Sequence, residues 1–364
     1  HVVMLMDLSA HDRQPSSYGV PVTPPAPGST SGSPAPRSSR GVRLHVVTGK
    51  GGTGKTTVAA ALAIAFARQG RKVLLCEVED RQGISQLFDI KPLGTEEIQI
   101  LADPSGGSLW GLAVEPKAAL LEYLQKFYRL GRAGSLLERA GAVDFATTIA
   151  PGLRDVLLIG KVYEAVGRAS GRGRGHVYDV VVLDAPPTGR VVRFLGVNDE
   201  LAQVARVGPI RAQADSITAM LQSRITVVHL VTLLEEMPVQ ECLDAMTDIA
   251  EAGLHVGGIV VNQVRDPILS EDDLDTIARG VSPALRAEVS GDLESVGIKD
   301  AAGNADVLLR EASEHIERLD LQAEQDQRIR AQGRAVFYLP ALADGLDSGG
   351  IGVLAEELVV QEMV

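Results

Sequence analysis

Cysteine, aromatic side chains and basic charge are all scarce in this chain. Two cysteines occur in 364 residues, Cys76 and Cys242, and they form no CxxC pair. That argues against a thiolate zinc site, and Cys76, inside an apolar run, reads as a buried thiol. Aromatics make up 4% of the chain while hydrophobic residues make up 45%. The core is therefore expected to be aliphatic, as suits parallel strands covered by helices. Lys and Arg number 35 against 47 Asp and Glu, a net charge of −12. A dedicated nucleic-acid binder would carry a basic face instead. A local phosphate site remains open, because backbone N–H groups and one or two lysines suffice for it. No apolar run reaches the roughly 18–20 residues of a membrane span. The opening HVVMLMDLS is short and runs into polar, Pro-rich sequence, which does not read as a secretory signal. The cytoplasm is the expected compartment.

Residues 1–41 are rich in Pro, Ser and Gly and lack an apolar period, so they are expected to be a poorly structured tail. From Val42 onward short β-branched runs alternate with helical stretches. The strand-like runs are LHVVT (44–48), KVLLCEVE (72–79), LWGLAVE (109–115), YDVVVLDA (178–185), TVVHLVT (226–232), GGIVVNQ (257–263) and AVFYLP (335–340). Most are apolar on both faces. The fold class expected is α/β, a doubly wound and mostly parallel sheet. One domain over 42–364 is anticipated, with helical insertions at about 116–165, 194–224 and 270–333. These insertions read either as cover on the sheet or as a small helical subdomain driven by a nucleotide switch.

Gly49-Lys50-Gly51-Gly52-Thr53-Gly54-Lys55-Thr56 fits G-x-x-x-x-G-K-[ST], after an expected strand and at the start of an expected helix. The glycines allow the backbone to turn N–H groups inward, and the helix start adds partial positive charge. Lys55 is placed to reach the β- and γ-phosphates of ATP, and Thr56 to take a position on Mg²⁺, with Thr57 following in the same loop-to-helix segment. Lys50 stands among the glycines, too near the turn to share the role of Lys55, and on the residues alone it reads as a solvated surface lysine.

The run KGGTGKTT resembles the deviant phosphate loop of the SIMIBI-class family that includes the arsenite-pump ATPase, the tail-anchored-protein targeting ATPase, MinD, ParA and the nitrogenase iron protein. The resemblance implies that Lys50 reaches across a dimer to the partner's nucleotide. A second run, YDVVVLDAPPTGRVVRFLGV, resembles the switch II segment of the arsenite-pump and tail-anchor branch, D-T-A-P-T-G-H-T-L-R-x-L. Asp184, Pro187, Thr188, Gly189, Arg193 and Leu195 match; Arg190 and Pro186 depart from it. Asp184 is thereby implied to help hold Mg²⁺. IAPGLRDVL resembles the I-P-G-x-D-E segment of the same branch. VVNQ resembles its adenine-side strand end, which implies a base contact for Asn262. FYLPALADGLDSGG resembles its final strand and loop, which implies that Pro340 flanks the base.

Three departures narrow the reading. The switch I stretch, usually S-T-D-P-A-H-S-L, is EVEDRQGISQLF here, so the water-orienting aspartate falls on Glu79, with Asp80 competing; a carboxylate one methylene longer implies slow or partner-dependent hydrolysis. The zinc-binding CxxC and the arsenite cysteines are missing, so neither a zinc-pinned dimer nor a metalloid pump is expected. Residues 194–224 hold one methionine, Met220, so a Met-rich client groove has little support. EVEDRQGI resembles the actinobacterial members labelled anion-transporter ATPases, which implies a homodimer or a pair with a related ATPase subunit, and a protein client or membrane partner. Two other readings stand beside this one: a nucleotide-binding scaffold with little hydrolysis, and a MinD- or ParA-like positioning ATPase. The acidic C-terminus GVLAEELVVQEMV suits neither the membrane tail nor the basic DNA face that the last would need.

Overall fold

The structure is a computed structural model that describes residues 41–78, 82–128, 151–170, 175–196, 209–265, 267–342 and 348–364. Among them, eight strands form one sheet in the order β3-β4-β2-β5-β1-β6-β7-β8. They are β1 (Leu44–Gly49), β2 (Lys72–Glu77), β3 (Ile98–Ala102), β4 (Ser108–Ala113), β5 (Val180–Asp184), β6 (Thr226–Thr232), β7 (Val256–Val264) and β8 (Val336–Pro340). The pairs β2–β4, β2–β5, β1–β5, β1–β6 and β6–β7 are parallel. The mostly parallel α/β sheet expected from the sequence is thus observed.

The central strands are apolar on both faces because both are covered: every residue of β1 and β5 is buried. β3 escaped the sequence reading. It pairs antiparallel with β4 at the sheet edge, with a register shift between Gln99 and Leu101. Its residues IQILA are only half-buried or exposed, so it lacks the continuous apolar burial that marks the other strands.

The covering helices begin with α1 (Lys55–Arg68), which follows β1, and α2 (Gly83–Leu87) after β2. Next come α3 (Pro116–Tyr128), α4 (Pro151–Gly167), α5 (Thr188–Leu195), α6 (Pro209–Leu221) and α7 (Glu236–Glu251). The run KTTVAAALAIAFAR of α1 is buried at nearly every position. Its alanines let it lie close against the strands on one side and the closing helix α11 (Ser348–Val360) on the other, where Arg68 donates to the Gly352 carbonyl at 2.8 Å.

The chain divides into two compact units. One holds the sheet and its covering helices. The other, spanning 264–332 with the short stretch 234–236, is built from α8 (Glu271–Ala278), α9 (Pro283–Ser295) and the 30-residue α10 (Ala301–Arg330). The last is about 45 Å long. Ser270 and Ser282 cap α8 and α9, accepting from the Asp273 and Leu285 N–H groups. Small apolar clusters join α8 to α10 through Leu274, Ile316 and Leu319, and α9 to α10 through Leu293, Ala301 and Ala305. Among the described residues, no helix is long and apolar enough to cross a membrane.

The sheet interior also holds a polar pair. The Gly258 N–H donates to His229 Nδ1 at 3.1 Å, which leaves the His229 proton on Nε2, 3.0 Å from His45 Nδ1. Both rings are buried. Burial lowers the His229 pKa to about 4, and burial, with smaller contributions from His229 and Arg71, holds that of His45 well below its ordinary value. Each histidine takes up a proton near pH 6.5 once unfolded but stays neutral when folded. Their contribution to stability is therefore complete above pH 6.5 and falls as pH drops toward 4, by at most about 1.4 kcal/mol per pH unit for each ring. Urea unfolding followed between pH 7.5 and 5 is expected to show the midpoint falling with pH, and replacement of both histidines by glutamine is expected to flatten that slope.

Candidate nucleotide site

The strand order places β1 between β5 and β6, so the chain leaves the carboxyl ends of neighbouring strands in opposite directions. Such a crevice is where open α/β sheets bind ligands. The loop 49–54 fills it. Gly49 ends β1 against β6 so closely that a Cβ there would lie 2.2 Å from the Val231 carbonyl oxygen. Gly54 has φ +87°, and a Cβ there would lie 2.2 Å from Asn262 Nδ2. Only glycine fits either position. Around Gly51 and Gly52, by contrast, the space is open.

The curvature of the loop is held by polar contacts on the Lys50 carbonyl. It accepts from the Thr53 N–H at 3.3 Å, from Thr53 Oγ1 at 2.9 Å and from Lys55 Nζ at 3.4 Å. Thr53 and Lys55 are both buried. From β7, the Asn262 amide donates to the Thr53 carbonyl at 2.9 Å. Asn262 thus braces the phosphate loop from below, a contact that the sequence did not suggest. Thr57 lies buried on α1. Pro340 ends β8, three strands from β1 in the sheet order, about 14 Å away at ordinary strand spacing.

Thr56 and Asp184, both singled out from the sequence, lie together. Thr56 Oγ1, in the first turn of α1, donates to Asp184 Oδ2, at the end of β5, at 2.6 Å. Thr48 Oγ1 donates to the Pro186 carbonyl at 2.7 Å, fastening the end of β1 to the turn that follows Asp184. A hydroxyl and a carboxylate beside a phosphate cradle are the hard oxygen donors that suit Mg²⁺, so the residues present fit that ion.

Two residues of the site were not picked out by sequence reasoning. Glu77 is the last residue of β2, 4% exposed, and its register partner on β5 is Asp184. Its Oε1 accepts from the Gly83 N–H, at the start of α2, at 2.8 Å. The signal was available: KVLLCE is an apolar run that ends in a carboxylate, as VVVLD does. The second residue is Glu241 on α7, which forms an ion pair with Lys50 at 2.9 Å. Nothing local in the sequence joins positions so far apart. Glu79 and Asp80, the two candidates for orienting water, lie outside the described residues.

The comparisons with known proteins agree with this geometry. The family model for anion-transporting ATPases matches residues 42–222. ATPase BagA of Mycobacterium tuberculosis is 47% identical over 334 residues, covering 92% of this chain and 97% of that protein. An arsenical pump-driving ATPase of Acidiphilium multivorum is 26% identical over 243 residues, 62% of this chain and 40% of its own length. ATPase GET3B of Arabidopsis thaliana is 25% identical over 196 residues, 50% of this chain and 46% of its own. A phosphate loop of this build, an Asp184 tied to its threonine, and near end-to-end similarity to an ATPase lead to one assignment: the chain belongs to the anion-transporting ATPase family, as a P-loop ATP hydrolase of the arsenite-pump and tail-anchor-targeting kind.

Proposed function

We propose that this chain works as an Mg-ATP-dependent dimer that couples ATP binding and hydrolysis to a change in a helical partner- or client-binding region. The observation that carries the reading is the Thr56–Asp184 hydrogen bond beside the buried Lys55. It ties the phosphate loop to the segment that follows β5, so a change at the γ-phosphate bears directly on α5.

The loop N–H groups from Gly49 to Thr56 receive the phosphate oxygens, and Lys55 leaves the Lys50 carbonyl to neutralise the β- and γ-phosphates. Thr56 and Asp184 would hold Mg²⁺, which would supply positive charge to offset that of the phosphates. Glu79 orients the attacking water for in-line displacement of ADP. Asn262 keeps Thr53 and the curve of the loop in place, with its remaining amide capacity available to the base edge, and Pro340 flanks the base.

Lys50 is the charge the protomer's own loop leaves over. In the isolated chain its ammonium pairs with Glu241, and both side chains are about one-third exposed, at 32% and 38%. Such a pair is worth at most about 1 kcal/mol, so a partner's triphosphate outcompetes it readily. The partner is a second copy or a related ATPase subunit. The helical unit of α8–α10 exposes Val296, Ile298, Val307 and Leu308, a surface suited to a protein client or a membrane partner.

Phosphate release under steady-state conditions tests the enzymatic part. Lys55→Ala is expected to lower turnover by about 100-fold or more, and Glu79→Gln to lower it while ATP binding persists. Tight ATP binding by the unaltered chain without turnover would instead establish the scaffold reading.

Light scattering after chromatography, with and without a non-hydrolysable ATP analogue, tests the pairing. Lys50→Ala is expected to abolish the ATP-dependent dimer. Glu241→Gln is expected to raise the dimer fraction at subsaturating ATP by about two- to fivefold. Dimerisation of Lys50→Ala equal to that of the unaltered chain contradicts the exchange of lysines.

A further inference from the structure

We infer that Glu77 is a second carboxylate of the magnesium site, acting on the hydrated ion from β2 and joining metal occupancy to the start of α2. This rests on the nucleotide reading above. Glu77 and Asp184 are register partners at the carboxyl ends of two adjacent parallel strands, so their side chains leave the same face of the sheet, with backbones about 4.8 Å apart. Both are buried, at 4% and 8% exposure. A Cβ placed on Gly83 would lie 3.4 Å from Glu77 Oε1 and 3.6 Å from Thr56 Oγ1. The Glu77 carboxylate and the Thr56 hydroxyl thus flank one point, and the Thr56 hydroxyl donates its hydrogen bond to Asp184 Oδ2.

The plainer role for Glu77 is to accept the Gly83 N–H and start α2. That role needs an acceptor, not a charge, since a glutamine carbonyl accepts the same N–H. Two carboxylates buried at the ends of adjacent strands repel one another when charged, and burial penalises each charge. A divalent cation offsets both effects at once. Hard oxygen donors with water in the remaining positions are what Mg²⁺ takes, with one or two carboxylates beside the substrate phosphates. Glu77 therefore repels a bare diphosphate and attracts the metal-bound one, which makes nucleotide affinity depend more steeply on Mg²⁺. Because the same carboxylate holds Gly83, loading the metal draws on the contact that anchors α2. The anchor is otherwise firm: Gln82 Oε1 accepts from Ser85 Oγ at 2.9 Å and from the Leu93 N–H at 3.0 Å.

The test compares ADP affinity in Mg²⁺ with that in EDTA, by calorimetry on the full chain, for the unaltered protein, Asp184→Asn and Glu77→Gln. Glu77→Gln is expected to bind ADP in EDTA as well as the unaltered chain or better, and to bind Mg·ADP about tenfold or more weakly, so the ratio collapses. The melting temperature of Glu77→Gln should stay near that of the unaltered chain, because the Gly83 contact is kept. A ratio unchanged in Glu77→Gln but lost in Asp184→Asn overturns the role of Glu77 and leaves the nucleotide reading standing. No ADP binding by the unaltered chain overturns that reading itself. If Glu77→Gln fails to fold, a crystal structure of the unaltered chain with Mg·ADP decides: a Glu77 carboxylate within one water of the metal supports the inference, and one turned away from it overturns it.

Discussion

A 2.6 Å hydrogen bond from Thr56 to Asp184 joins the first turn of α1 to the last residue of β5, and the rest of the site is arranged around it. It forms because β1 and β5 are neighbours in the sheet, so the helix that leaves β1 begins beside the carboxyl end of β5. Thr48, at the end of β1, makes a second tie to the Pro186 carbonyl. The phosphate loop and the segment after β5 are therefore one polar assembly, although about 130 residues of chain separate them. α5 begins four residues after Asp184, just beyond the Pro186 carbonyl that Thr48 holds.

Charge is distributed unevenly around this assembly. Lys55 is buried and folded back on the Lys50 carbonyl, where low dielectric strengthens whatever it meets. Lys50 lies in a half-exposed surface pair with Glu241, where screening by water and salt keeps the interaction weak. One lysine is thus held within its own loop, and the other reaches out to a helix at the surface. The acidic side is buried instead: Glu77 and Asp184 end adjacent strands, with their backbones held together by sheet register.

The aliphatic composition accounts for the rest of the scaffold. With aromatics at 4%, the core is filled by Val, Leu, Ile and Ala, and α1 can lie close to the sheet because so many of its buried positions are alanine. A polar feature of this interior is the His45–His229 pair, in which His229 accepts from the Gly258 N–H and its other ring nitrogen meets His45 Nδ1. His229 sits in the apolar run TVVHLVT, which marks burial locally. Its pairing with His45 has no local mark, because 184 residues separate the two and only adjacency of β1 and β6 brings them together.

Seven of the strands were legible because burial on both faces writes itself as a continuous apolar run, and the phosphate loop because its residues are contiguous. Asp184 was legible for a related reason: it is the polar residue that ends a buried run. Edge strand β3 carries no such mark, being half-exposed. The Asn262 brace under Thr53 and the Lys50–Glu241 pair depend on where β7 and α7 dock, which no local pattern encodes. The sequence by itself determined the alternation of elements, the cradle for phosphate and its lysine, since these follow from neighbours along the chain. Only the tertiary structure decided which distant side chains brace the cradle, hold Lys50 and stand beside Asp184, because strand order and register, not sequence separation, set those distances.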